Sequence, residues 1–126
     1  VSLGLIDFTY EDKYEETKQK GVLKVFKDIT TLNQMPFDNN NHMICSFGHL
    51  SGYGANYYGY LWSKVYAQDM FSIFKKNGVM DTATGIKYRK EILEKGSTAP
   101  EIEMVEKFLG RKPNSDAFLE SLGIKK

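Results

Sequence analysis

The clearest alternation of apolar and polar positions lies in GVLKVFKDITTL, where Val22, Val25, Phe26, Ile29 and Leu32 fall at helical spacing. That pattern predicts an amphipathic helix with one face on a core. The preceding EDKYEETKQK is dense in charge and predicts a solvated loop or a frayed helical turn. VSLGLIDFTY, at the start, is an apolar run too short for its period to separate strand from helix.

From Asn33 to Gly54 the periodicity stops. NQMPFDNNNHMICSFGHLSGYG contains a proline, an asparagine run and scattered glycines, and predicts a long irregular segment. Segments of that kind inside compact domains often carry function. Regular structure is predicted to return near Ala55. Ala67, Met70, Phe71 and Phe74 form one stripe, and Trp62, Tyr66, Met70 and Ile73 an overlapping one, so a well-buried helix is expected. Asn77-Gly78 supplies its stop. Asp81 or Thr82 can cap a further helix that points Ile86, Tyr88, Ile92 and Leu93 inward and ends at Gly96. Thr98 and Glu101 match a capping box, with Pro100 in the first turn of a helix carrying Met104, Val105, Phe108 and Leu109 to Gly110. Asn114 or Ser115 opens a last short helix with Phe118, Leu119 and Leu122, closed by Gly123. The sum is an all-α array with one long irregular glycine/tyrosine loop.

The chain has 126 residues, enough for one domain. A formal net charge of +1 leaves no basic stripe for nucleic acid. No apolar run approaches the roughly 20 residues that cross a bilayer, and no basic start with an apolar block marks a signal peptide. The single cysteine, Cys45, allows no internal disulfide, is compatible with a reducing compartment, and reads as a buried or half-buried thiol. The chain opens on Val1 rather than methionine, which processing, disorder at the start or the tail of a longer protein would each explain.

The candidate chemistry sits in HLSGYGANYYGYLW, residues 49–62. On a helix starting near residue 53, Tyr53, Tyr57 and Tyr60 would share one face, while Tyr58 and Trp62 would lie on the core face. A phenol is neutral at pH 7 and can donate a hydrogen bond to a developing oxyanion. Gly52 and Gly54 would let the loop lie close to an extended peptide. His49 could donate to a carbonyl or hold the loop, and His42 reads as an exposed loop residue. Spacing alone favours ordinary packing over catalysis for these aromatics. No phosphate loop, no G-x-S-x-G and no H-E-x-x-H occurs, and two histidines with one cysteine make no closed zinc site. KYRKEILEK is a charge-balanced, solvated face.

SFGHLSGYGANYYGYLWSKVYAQDMF resembles the C-terminal catalytic segment of the thimet-oligopeptidase family of zinc metallopeptidases. The likeness continues through GIKYRKEILEKGS and FLGRKPNSDAFLESLGI, and upstream in LGLIDFTY. EDKYEETKQK carries least of it. The resemblance implies that residues 1–126 are the C-terminal helical portion of a zincin-like oligopeptidase catalytic domain, part of a longer chain. In that family Zn2+ is held by H-E-x-x-H and a further glutamate, and its activated water cuts short peptides. Those metal ligands are not in this chain, so the resemblance implies that the fragment alone is inactive.

Residue by residue, Tyr60 resembles the principal phenol donor to the oxyanion. Tyr53 resembles the loop tyrosine that contacts the peptide and assists the oxyanion. His49 resembles the loop histidine beside the substrate, and Tyr57 a substrate-side tyrosine. Gly52 and Gly54 resemble the family's flexible loop. The implied partners are short peptide substrates and the remainder of the parent polypeptide, with no nucleic acid and no membrane. The implied location is cytoplasmic, with a mitochondrial one also open. The loop lacks the extra glycine of H-L-x-G-G-Y, as in the mitochondrial intermediate peptidase branch, whereas WSKVYAQDMFSIF is nearer the thimet side. The branch therefore stays open. The rival reading is a non-catalytic helical module whose aromatic face binds a peptide or protein.

Overall fold

The computed structural model describes residues 1–32, 34 and 36–124; within the irregular segment, Asn33 and Met35 lie outside the described residues. All regular structure among the described residues is helical. The chain divides into two compact units, Val1–Leu61 and Trp62–Lys126.

In the first unit, helices α1 (Ser2–Asp12), α2 (Tyr14–Lys20) and α3 (Val22–Leu32) pack on one another. The apolar start, ambiguous in sequence, is thus helical. The charged stretch is also more ordered than a loop. Glu15 and Glu16 lie in the first turn of α2 and Lys18 and Lys20 in the last, the arrangement that complements the helix dipole. Thr17 is buried there. Gly21, at φ +83°, turns the chain into α3 in the left-handed region that glycine tolerates.

The core of this unit is Ile6, Val25, Phe26, Ile29 and Ile44, with Leu3, Tyr10, Phe37, Met43, Phe47 and Leu50 around it. The central three positions of the α3 stripe are therefore buried, while its ends, Val22 and Leu32, are exposed. The Tyr10 hydroxyl donates to the Val22 carbonyl at 2.9 Å. Burial, with Cys45 nearby, pushes the Tyr10 phenol up to about 12. Cys45 itself is exposed, contrary to the sequence expectation, because its neighbour Ile44 takes the core position of the 3-10 turn Met43–Ser46. The asparagine run caps its own backbone: Asp38 Oδ1 accepts from Asn40 N at 2.9 Å and Asn41 Oδ1 from Met43 N at 2.8 Å. His42 is exposed, as expected.

Helix α4 (Gly59–Asn77) begins at the end of the first unit and continues through the second, which adds α5 (Thr82–Tyr88), α6 (Glu101–Leu109) and α7 (Asp116–Ser121). Val105, Phe108 and Leu109 form the core, packed by Tyr66, Met70, Ile73, Phe74, Tyr88 and Ile92. Phe108 is fully buried, with Tyr88 edge-on at 5.4 Å and Phe74 at 6.0 Å. Met104 is buried as well, so all four expected α6 positions turn inward, and Gly110 ends the helix in the left-handed conformation.

Three expectations are corrected. Helix α4 is less buried than its apolar arc suggests, and Trp62 and Phe71 are exposed at 53% and 41%. The physical reasons differ: Trp62 lies one turn before the stretch Tyr66–Phe74 that packs on the core residues of α6, and Phe71, inside that stretch, lies off the face that Tyr66, Met70, Ile73 and Phe74 share. Ile86 and Leu93 are exposed, while Tyr88 and Ile92 pack inward: Ile86 and Tyr88 are two residues apart in α5 and so face opposite sides, and Leu93 closes the π-helical turn Arg89–Leu93, which shifts the phase after α5. The capping box is not made: Pro100 is the N-cap of α6, and Thr98 Oγ1 donates to the Lys95 carbonyl at 2.8 Å instead. Asp81 does cap α5, accepting from Thr84 N at 2.7 Å, a bond that holds its carboxyl below the usual range.

Asp69, 1% exposed on α4, ties down the segment after α6. Arg111 donates to both of its oxygens, Nη1 at 2.9 Å from Oδ2, and Asn114 N donates to Oδ2 at 2.8 Å. Burial works against the charge, but the Arg111 guanidinium and the Asn114 N–H outweigh it and hold the carboxyl below the ordinary range. A depressed folded-state pKa contributes stability that is present above the unfolded carboxylate pKa and lost as pH falls through the folded one. Asp69→Ala is expected to lower stability in urea unfolding at pH 7 by about 2 kcal/mol. The difference from wild type should shrink only as pH drops below the usual carboxylate range, and a difference that persists unchanged there would dismiss the ionic contribution.

Candidate functional site

The site is built on the irregular stretch from Phe47 to Tyr60. A 3-10 turn, Gly48–Ser51, presents His49, and Tyr53 N donates back to the His49 carbonyl at 2.8 Å. The chain then folds tightly through Asn56, whose N donates to the Tyr53 carbonyl at 3.2 Å and whose Nδ2 donates to the Gly54 carbonyl at 2.8 Å. Tyr60 N donates to the Tyr57 carbonyl at 3.2 Å as α4 opens.

The tyrosines do not share a helix face, as their spacing suggested, because α4 starts at Gly59 and leaves Tyr53 and Tyr57 on the loop. A helix from residue 53 would send Tyr57 N–H to the Tyr53 carbonyl. Here Tyr57 N donates to Asp7 Oδ2 at 2.9 Å, and Asn56 takes that carbonyl. The rings converge nonetheless, by chain reversal rather than by helical period. The His49 imidazole is the hub, with centroids 6.1 Å from Tyr53, 4.9 Å from Tyr57 and 5.9 Å from Tyr60, all near-perpendicular. Tyr57 and Tyr60 lie 5.1 Å apart, and Tyr53 and Tyr60 6.3 Å. His49 Nε2 and the Tyr60 hydroxyl are 3.3 Å apart; the hydroxyl donates when Nε2 is unprotonated and accepts when Nε2 carries the proton.

Tyr53 and Tyr60 are about half exposed, so both phenols are open to a ligand. Tyr58, expected on a core face, is exposed and meets the edge of Phe8. Gly52, at φ −159°, does not take the left-handed conformation, and a Cβ there would meet nothing. A Cβ on Gly54 would meet the carboxylate end of Glu11. The left-handed residue of this loop is Ala55, at φ +57°.

Two residues of the site escaped sequence reasoning. Phe47 lies 5.2 Å from both His49 and Tyr57, and nothing in its sequence context marked it. Asp7 is fully buried, and its Oδ1 has no hydrogen-bond partner. A lone acid inside the apolar run LGLIDFTY was the available signal, because buried charge is retained only where it is used. Among the described residues no three His, Cys, Asp or Glu side chains gather as a metal site, so these residues do not fit a zinc ion by themselves.

The model for peptidase family M3 matches residues 1–124, and the chain belongs to that family. It is 32% identical over 128 residues to oligopeptidase A of Escherichia coli K12, covering 99% of this chain and 19% of that protein. A thimet-like oligopeptidase of Dictyostelium discoideum is 47% identical over 81 residues, 64% of this chain and 12% of its own length. Saccharolysin of Saccharomyces cerevisiae is 41% identical over 81 residues, 63% of this chain and 11% of its own. The chain thus spans less than a fifth of the length of these relatives.

The hub makes a spectroscopic prediction. Tyr60→Phe removes the hydroxyl at 3.3 Å and should shift the His49 Nε2 resonance in 15N NMR, leaving Nδ1 less affected. Identical His49 spectra in the two proteins would mean that the contact is not a hydrogen bond.

Proposed function

We propose that this chain supplies the substrate-covering and oxyanion-stabilising surface of an oligopeptidase that hydrolyses peptide bonds in short peptides. The reading is supported above all by the convergence of Tyr53, Tyr57 and Tyr60 on His49, with the Tyr53 and Tyr60 phenols open to a ligand. In this reading Tyr60 donates to the oxygen of the scissile carbonyl as negative charge grows there. His49 orients that hydroxyl or donates to a substrate carbonyl. Tyr53 contacts the bound peptide and assists in stabilising the oxyanion, Tyr57 lines the substrate side, and Gly52 and Gly54 belong to the flexible loop beside it. Neutral donors suit this task, because they stabilise the developing charge without placing a competing ion in the cleft. The zinc ion of the family would be held by residues outside this chain. Family membership favours this assignment over a non-catalytic binding module.

Two measurements test it. In the full-length enzyme, Tyr60→Phe should lower kcat by about 10²-fold while KM changes by less than about threefold, because the donor acts mainly in the transition state. An unchanged kcat would remove Tyr60 from the role. The purified 126-residue chain should neither cleave peptides nor bind zinc stoichiometrically in calorimetry; tight one-to-one binding would overturn the assignment of the ligands to absent polypeptide.

A further inference from the structure

Asp7 sits on α1, fifty residues from the loop it touches, and is 0% exposed. Nothing in its own helix needs a carboxylate. Its Oδ2 accepts the Tyr57 N–H at 2.9 Å, and its Oδ1 is buried without a partner. A carboxylate held under such unfavourable conditions points to a task that an apolar residue of the same size would not perform.

Tyr57 is a junction. Its ring packs on Phe47, His49 and Tyr60, and its carbonyl accepts from Tyr60 N at 3.2 Å, the contact that leads into α4. Among the described residues, its N–H is the one backbone group at this point that ties the loop to α1 by a hydrogen bond. Moving the 56–57 peptide would therefore displace the Tyr57 ring and the start of the helix that carries the Tyr60 hydroxyl. Apolar packing around Tyr57 is non-directional and cannot hold that peptide in one orientation, whereas the carboxylate can.

We infer that Asp7 is a positioning residue for the oxyanion-donor site, fixing the Tyr57 peptide so that Tyr57 and Tyr60 keep their places around His49. This inference rests on the function proposed above and adds a residue to it from a segment outside the tyrosine loop.

The test is a double-mutant cycle in the full-length enzyme with Asp7→Ala, Asp7→Asn and Tyr60→Phe. A misplacement of about an ångström costs on the order of 10²-fold, so Asp7→Ala should lower kcat by about 10- to 100-fold with KM changed less than about threefold. Asp7→Asn keeps an acceptor oxygen for the Tyr57 N–H and should recover most of that loss. In the Tyr60→Phe background, Asp7→Ala should cost little more, because residues acting as a unit are non-additive. A folded Asp7→Ala enzyme with wild-type kcat, or losses that multiply independently, would overturn the inference. Hydrogen exchange at the Tyr57 amide is read alongside: it should be slow in wild type and faster in Asp7→Ala. Rapid exchange in wild type overturns the inference even if Asp7→Ala does not fold. If Tyr60→Phe alone leaves kcat unchanged, the oxyanion reading fails, and the exchange measurement still judges whether Asp7 holds the loop.

Discussion

A buried carboxylate that accepts a backbone N–H from a distant, irregular segment is the interaction on which this structure depends. It occurs in each compact unit. Asp7 receives Tyr57 N–H in the first, and Asp69 receives Asn114 N–H together with the Arg111 guanidinium in the second. Helices satisfy their own backbone, but the loops between them do not, and their polar groups need partners wherever they are buried. Hydrophobic burial supplies most of the driving force, yet it has no direction and does not select one loop path. The two aspartates select it. Asp69 is balanced by a full positive charge, while Asp7 accepts a single hydrogen bond and has one buried oxygen without a partner.

The aromatic cluster follows from that constraint. Four rings meet around one imidazole because the chain reverses between His49 and Asn56, not because a helix lines them up. Tight turns put successive tyrosines on a common centre while leaving the hydroxyls of Tyr53 and Tyr60 reachable. A continuous helix through the same residues would have satisfied the Tyr57 N–H internally and left Asp7 with nothing to accept. The chain that carries this arrangement spans less than a fifth of the length of its relatives in the M3 peptidase family.

Local pattern carried much of the fold. The stripe Val25, Phe26, Ile29 and the set Met104, Val105, Phe108, Leu109 are buried because a 3.6-residue period leaves few alternatives. Gly110 and the Asp81 cap were likewise legible, since φ > 0 and an unpaired helix N-terminus each demand particular residues. Pattern failed where a second element decided the outcome. Trp62 and Phe71 belong to an apolar arc, but Trp62 lies before the stretch packed on α6 and Phe71 lies off its packed face. Ile86 and Tyr88 stand two residues apart in one helix and cannot both face inward, and a π-helical turn rephases Leu93. Thr98 and Glu101 have the spacing of a capping box, but Thr98 is used by the preceding turn.

What the sequence determined by itself is the all-α class, the identity of the apolar faces and the tyrosine-rich segment with its family likeness, because these depend on residue type and local spacing. The tertiary structure alone decided that Tyr53 and Tyr57 lie off the helix, that Phe47 joins their cluster, and that Asp7 holds it. Those outcomes turn on where one backbone N–H finds its acceptor, and that acceptor lies fifty residues away in the chain.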